Sequence, residues 1–224
     1  MMRLHHSPGT RSVRVLWLLH EMAIPFALIT YEFGANLHAP EYRAIHPAGR
    51  VPALEIDGEI LLESGAILEV LCERHPEAGL APMPGEPERA GFLQWLHFAE
   101  TASQHSAALT QQHVALYEDW MRSPIVTKIE AKRLTRCFAT LQQRLGGRDY
   151  LLDRGFSAAD VAVGQAIDLS EHFVSTDVYP DLADWLERLR ARPAYQKAMP
   201  KYGPVLYDKP LYPPLPVAAP EEAS

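Results

Sequence analysis

Three hydroxyls, Ser7, Thr10 and Ser12, stand just ahead of the first long apolar run of the chain. A hydroxyl at the opening of a helix can cap it, or can donate a hydrogen bond to an anion held at the positive end of the helix dipole. A second opening of this kind is written at Glu63-Ser64, ahead of the periodic segment Gly65–Arg74. There Ser64 has N-cap chemistry, and the free N–H groups of the first turn make an anion site. Val51-Pro52 leads into an apolar run; Pro52 lacks an N–H and suits the first position or the edge of a strand. Arg50 beside it can hold a carboxylate through its planar fork. His38 sits in a polar loop further back, where a solvated ring is the simplest reading. The two cysteines, Cys72 and Cys137, form no CxxC or CxxH pattern, which argues against a disulfide framework, a zinc site or a dithiol redox pair. His97 and Glu100 are spaced to pair on one helix face, and without further ligands they indicate no metal.

The elements that must position these residues alternate at first. Arg3–His6 reads as a strand, Ser7-Pro8-Gly9-Thr10 as a turn, and Ser12–Met22 as a helix apolar on most sides, hence buried. Phe26–Tyr31 is a second strand, and Pro40 suits the first turn of a short helix. Two apolar runs, Val51–Ile56 and Glu59–Leu62, flank Asp57-Gly58, a strong hairpin signal. The order is β-α-β-α-β-β-α. Four prolines and two glycines between Pro76 and Pro87 mark a linker, and every later pattern is helical: Glu88–Ala108, Pro124–Gly146, Ala158–Phe173, Pro180–Ala191 and Pro193–Met199. Gly203–Ser224 holds six prolines without periodicity and reads as an irregular tail. The expected division is 1–79, a linker at 80–87, a helical domain at 88–202 and a tail at 203–224.

Composition narrows the classes. With 224 residues and 47% hydrophobic residues there is ample material for a large core. The net charge of −7, with no run of Lys or Arg longer than two, argues against nucleic-acid binding. The N-terminus lacks the apolar stretch of a signal peptide, and no segment reaches membrane-spanning length, so a soluble cytoplasmic protein is expected.

Four motifs, in order along the chain, resemble a known family. Thr10-Arg11-Ser12-Val13-Arg14-Val15-Leu16-Trp17 looks like the first helix of bacterial and fungal glutathione transferases; His46-Pro47-Ala48-Gly49-Arg50-Val51-Pro52-Ala53-Leu54 resembles their Asn-Pro-x-Gly-Lys-Val-Pro-x-Leu loop and strand. Glu63-Ser64-Gly65-Ala66-Ile67 resembles their Glu-Ser-x-Ala-Ile motif, and Phe156-Ser157-Ala158-Ala159-Asp160 the helix cap inside their C-terminal domain. The resemblance implies a thioredoxin-like α/β domain that holds glutathione, followed by an all-helical domain.

It also implies roles. The peptide before Pro52 is cis in the family, which presents the Val51 N–H and C=O to an extended peptide ligand as an added strand would. The α-helix opening at Ser64 takes the γ-glutamyl carboxylate, with Glu63 facing the amino group; Arg50 and His38 meet the glycyl carboxylate. Glutathione is a co-substrate, and no cofactor or metal is implied. A hydroxyl beside the first helix stabilises the thiolate, whose unperturbed pKa is about 8.5. Matching on Arg-x-x-Arg-Val-Leu-Trp favours Thr10, matching on Ser-x-x-x-Arg favours Ser7 with Arg11, and Ser12 stands close to both. The two registers exclude each other. No Cys or Tyr lies between His5 and Val15, which disfavours the cysteine- and tyrosine-type mechanisms. His5 and His6 read as structural; Arg11 and Arg14 can add positive potential at the same helix end, although exposed arginines usually do nothing so specific. The second substrate, a small apolar electrophile, is implied between the first-helix loop and the first helices of domain two, near Trp95, Phe98, Tyr117 and Trp120; Trp95, Phe98 and Ala102 on one stripe read most simply as core. In the cap motif Ser157 opens the helix, Asp160 reaches back to it, and Phe156 staples onto Val161. Members of this type are commonly homodimers. Three functions follow: glutathione transfer to electrophiles, non-catalytic glutathione binding or regulation on the same fold, and glutathione-dependent disulfide reduction or peroxide reduction.

Overall fold

Asp57 and Gly58 turn the chain with both residues at positive φ, 52° and 85°, the backbone that a two-residue hairpin with the twist of its strands requires. The turn pairs β3 (Ala53–Ile56) with β4 (Glu59–Leu62). β3 also runs antiparallel to β1 (Arg3–His6), which lies parallel to β2 (Ala27–Thr30), so the sheet order is β2-β1-β3-β4. α1 (Ser12–Glu21) is the crossover from β1 to β2, the short α2 (Pro40–Arg43) precedes β3, and α3 (Ser64–Arg74) follows β4. This is the thioredoxin-like plan, β-α-β-α-β-β-α. The computed structural model describes residues 2–116, 118–199 and 212–213.

Five longer elements make the helical half: α4 (Arg89–Thr110), α5 (Pro124–Leu145), α6 (Ala158–Ser170), α7 (Pro180–Arg190) and α8 (Pro193–Ala198). Proline opens α5, α7 and α8, where its missing N–H costs nothing and its φ already suits a helix. α4 runs on into a wider, π-type turn at Gln111–Ala115. No described helix is long and apolar enough to cross a membrane.

α1 explains how the halves join. Every residue from Ser12 to Leu19 is buried, because β1 and α3 cover one side of the helix while α6 and α8 cover the other. A sequence apolar all round is the composition such a sandwiched helix needs. Trp17 meets Tyr195 of α8 edge-on at 5.0 Å and donates its indole N–H to Glu21 at 2.8 Å. Glu21 in turn takes two hydrogen bonds from Arg192, at 2.7 and 2.8 Å. Phe156 lies against Trp17 and Tyr150, with the Arg192 guanidinium 3.5 Å above its ring. The reason is geometric: the start of α6 faces α1, so the ring fills the seam between domains.

Asp160 organises the helical half. It is fully buried, and its carboxylate accepts from Ser157 N–H at 2.9 Å, Ser157 hydroxyl at 3.0 Å, Leu151 N–H at 2.9 Å and Trp185 Nε1 at 3.0 Å. Burial pushes its pKa up while these hydrogen bonds pull it down. The tail expected at Gly203–Ser224 lies outside the described residues apart from Tyr212 and Pro213. Tyr212 donates its N–H to the Phe173 carbonyl at 2.8 Å, and its hydroxyl lies 2.8 Å from His113 Nε2.

Candidate functional site

Register alone brings three segments to one end of the sheet. Ala53 pairs with Leu62 across the hairpin and with His5 on β1. The residues just before Ala53 therefore lie beside those just after Leu62 and just after His5. Val51-Pro52, Glu63-Ser64 and the loop Ser7–Arg11 meet there.

The first segment is the β3 approach. The Val51-Pro52 peptide is cis, and neither the N–H nor the C=O of Val51 pairs with another described residue. Tyr42 of α2 holds the strand in place by donating its hydroxyl to the Arg50 carbonyl at 2.5 Å. Gly49, at φ +61°, packs so closely that a Cβ would stand 2.6 Å from the Leu37 carbonyl oxygen and 2.9 Å from His38 Nδ1. The His38 ring therefore lies against Gly49, next in the chain to Arg50. Gly49→Ala is expected to lower stability by roughly 2 kcal/mol, since it adds positive-φ strain to a clash with backbone. Urea unfolding checks this; an unchanged midpoint would show that the 37–38 turn yields freely.

The second segment corrects the reading of Ser64. Glu63, at φ 68°, is the N-cap of α3 and Ser64 is its first helical residue. No side chain caps the helix, so its leading N–H groups are left for a ligand. Ser64 does not cap because its hydroxyl is engaged elsewhere: it is buried and accepts from Arg14 Nη1 at 3.2 Å.

Arg14 is what the sequence reading missed. It is 1% exposed and ties four elements together. Its Nε donates to Gln165 of α6 at 2.9 Å, Nη2 to Ser103 of α4 at 2.6 Å, and Nη1 to Ser64 and, as a close ion pair, to Glu100 of α4. Burial lowers its pKa and Glu100 pulls it back up, leaving a cation behind Ser64. The signal was present: one arginine amid Val13, Val15, Leu16 and Trp17 must be partnered if the helix is buried all round. Glu100, expected to pair with His97, turns instead to Arg14 and to Arg11, at 3.0 Å.

The third segment holds the hydroxyls. Ser7 and Ser12 are fully buried, and Thr10 is partly exposed. Thr10 Oγ1 donates to the Ser7 carbonyl at 2.7 Å and lies 2.7 Å from Ser12 Oγ; Ser12 Oγ lies 2.8 Å from His6 Nδ1 and accepts the Ser7 N–H at 3.1 Å. Ser7 Oγ has no partner among the described residues. The N-cap of α1 is Arg11, and no side chain caps it. The hydroxyls thus form a closed chain anchored on the Ser7 carbonyl, with Thr10 as its partly exposed member, rather than a set of caps. Burial pulls His6 down to a pKa of about 4, so its ring is neutral at ordinary pH.

The surroundings bound the chemistry. Among the described residues no group of three His, Cys, Asp or Glu side chains is placed to hold a metal. Burial drives the thiols of Cys72 and Cys137 up to about 12 and about 11, so neither is a nucleophile. Trp95 and Ala102 are in the core, with Phe98 edge-on to Trp95 at 5.2 Å. Trp120 is 77% exposed, and Tyr117 lies outside the described residues.

The family model described as "Glutathione S-transferase, N-terminal domain" matches residues 4–79, and "Glutathione S-transferase, C-terminal domain" matches residues 112–198. The chain is 26% identical over 212 residues to Glutathione S-transferase 3 of Schizosaccharomyces pombe, covering 90% of this chain and 88% of that one. It is 28% identical over 210 residues to the disulfide-bond oxidoreductase YfcG of Escherichia coli, covering 90% and 95%. Among solved structures, a glutathione transferase homologue from Sulfitobacter with bound glutathione superposes with a TM-score of 0.75 at 27% identity, over 88% of this chain and 96% of that one.

Proposed function

The chain belongs to the glutathione S-transferase family, and from that premise we propose that it binds glutathione at the converging end of the sheet and transfers it to small apolar electrophiles. The observation that carries this reading is the meeting of three complementary features: an unpaired backbone edge at Val51, an uncapped helix opening at Glu63-Ser64, and a hydroxyl chain whose partly exposed member is Thr10. Val51 pairs its N–H and C=O with the cysteinyl residue of the ligand. Ser64 and the leading N–H groups of α3 take the γ-glutamyl carboxylate, and Glu63 faces the amino group. Arg50 and His38 receive the glycyl carboxylate. Thr10 donates to the sulfur, with Ser12 behind it and Ser7 as the competing candidate. The thiolate sulfur attacks the electrophilic carbon and forms a C–S bond. A leaving group departs with the electron pair of its broken bond, or an activated double bond takes up the pair and then a proton. We read the working form as a cytoplasmic homodimer, as is common for the family.

The likeness to a disulfide-bond oxidoreductase favours a second reading. With both protein thiols buried and unreactive, glutathione itself would attack a mixed disulfide, forming one S–S bond as another breaks and expelling a thiolate.

Calorimetry with glutathione, followed by turnover of an aryl halide and of a glutathione mixed disulfide, tests both. Ser64→Ala and Glu63→Ala are each expected to weaken glutathione binding about tenfold, the loss of one hydrogen bond to a charged group. Thr10→Ala is expected to leave affinity within a few-fold and to lower kcat about tenfold at neutral pH, the effect of raising the bound thiol by about one pK unit. A folded protein that takes up no glutathione overturns the reading. A fully active Thr10→Ala beside an inactive Ser7→Ala or Ser12→Ala assigns the role to the other register.

A further inference from the structure

Two arginines share one carboxylate at the mouth of the site, and only one of them is saturated. Glu100 of α4 lies against Arg14 through one oxygen and 3.0 Å from Arg11 Nε through the other. Arg14 is buried, and its three nitrogens all donate, to Gln165, Ser64, Glu100 and Ser103. Arg11 has no such shell. Its Nε is buried and meets Glu100 off the line of a hydrogen bond, while neither Nη donates to a described residue. The Arg11 side chain is 31% exposed, and its Nη groups reach solvent. A guanidinium keeps its charge at any ordinary pH, and the fork of its Nη pair fits a planar oxyanion.

Arg11 directly follows Thr10 and is the N-cap of α1, yet its side chain reaches across to α4. Its guanidinium therefore stands in the angle between the hydroxyl loop and the helical half. An electrophile must bring its reacting carbon within about 3–3.5 Å of a sulfur held by that loop, so the rest of the molecule projects into the same angle. Glutathione bound as above has its carboxylates at the α3 opening and at Arg50 with His38, which leaves the Arg11 donors free. On a chain of net charge −7, a cation with open donors in a cleft is a local attractor for anions.

Resting on the glutathione reading above, we propose that Arg11 is a specificity-determining residue for the second substrate: its Nη pair receives a carboxylate, so that the preferred electrophiles are small apolar molecules bearing one anionic group rather than wholly neutral ones. Glu100 pins the Nε edge of the guanidinium and leaves the Nη pair to the substrate. The carboxylate is a handle and takes no part in the bond changes. Sulfur attacks the carbon that bears the leaving group, the C–S bond forms, and the leaving group departs with the electron pair of its own bond. A cation so near the sulfur could instead steady the thiolate. That effect would act on every electrophile alike, whereas a handle acts only on substrates that carry it.

A matched pair of aryl chlorides separates the two: 4-chloro-3-nitrobenzoate and its methyl ester. Each is measured as kcat/KM with glutathione saturating, and divided by its rate with free glutathione in solution. The parent is expected to favour the benzoate about tenfold on this scale, the strength of one charge-assisted hydrogen bond in a partly screened site. Arg11→Gln is expected to lower kcat/KM about tenfold for the benzoate and by less than about threefold for the ester, with glutathione affinity within about threefold. Arg11→Lys, which keeps the charge without the fork, should retain about a threefold preference. Added salt should slow the parent on the benzoate and not on the ester; should Arg11→Gln fail to fold, this contrast decides, and equal salt effects on the two substrates overturn the proposal. Equal losses for both substrates in Arg11→Gln assign the cation to the thiolate and overturn it. So does a loss of glutathione affinity beyond about tenfold with the benzoate preference intact, which places the guanidinium on glutathione. A parent that turns over the ester but shows no preference leaves the transfer reading standing and removes this proposal. A parent that binds no glutathione defeats both.

Discussion

Asp160→Ala is expected to destabilise the fold by roughly 5 kcal/mol, far more than the loss of a helix cap. A capping residue is worth about 1 kcal/mol. Asp160 instead satisfies three fixed donors, the N–H groups of Ser157 and Leu151 and the indole of Trp185, besides the Ser157 hydroxyl, in a site with no solvent exposure. Each stranded buried donor costs about 1–3 kcal/mol, while the Ser157 hydroxyl can rotate to a new partner. For a chain of this size the loss corresponds to a fall in Tm of about 10–20 °C. Asp160→Asn keeps one acceptor oxygen but turns an N–H₂ toward donors, and should fall between the parent and Asp160→Ala. Calorimetric melts of the three proteins check the order. An Asp160→Ala variant within 1 kcal/mol of the parent would mean that water enters the site and replaces the carboxylate.

Glu100→Leu is the second large effect, and its size comes from the partner it abandons. Glu100 itself is 48% exposed in its side chain, whereas Arg14 is 1% exposed. Removing the carboxylate strands a buried guanidinium with only Ser64, Ser103 and Gln165 as neutral acceptors. Breaking a buried pair in this way costs about 3–5 kcal/mol; water near the Glu100 side screens the cation, so about 3 kcal/mol is expected. Adding Arg14→Met to the same protein should recover most of that loss, because no charge then remains buried. The ion pair of Glu100 with Arg11 is more exposed and contributes at most about 1 kcal/mol. Chemical denaturation of the two single variants and the double variant gives the cycle. Additive losses would show that Arg14 is held by its neutral partners alone.

What was legible in the sequence was local. The Asp57-Gly58 turn, the prolines opening α5, α7 and α8, and the reach of Asp160 back to Ser157 each depend on residues within three positions of one another. The Asp57-Gly58 turn sets the pairing of β3 with β4, Ile56 opposite Glu59. The wiring between elements was not legible, because nothing local encodes it. Arg14 reaches partners 50, 86, 89 and 151 residues away, and only the packing of four elements brings them together. The same distance hid Trp17 and Arg192 beside Phe156, and Arg14 and Arg11 beside Glu100, which was expected to pair with His97. Ser64 misled for a related reason: a serine before a helix is an N-cap by default, and its hydroxyl was taken by a cation contributed from another helix. At the hydroxyl loop the residue types were readable, but which of them is open to a ligand depends on burial, which separates Thr10 from Ser7 and Ser12.

The helix Ser12–Glu21 has consequences for how such a chain can be recombined. Its exterior is divided between β1 with α3 on one side and the pair α6 and α8 on the other, so Trp17 and its neighbours would lie bare in any fragment ending at the linker. Grafting a helical half from a relative would place foreign side chains against Trp17 and Glu21. The contact set Arg14, Trp17 and Glu21 should therefore travel with α6 and α8 in any chimera, even though it is encoded a hundred and more residues upstream, and a crossover at the linker alone should yield insoluble protein.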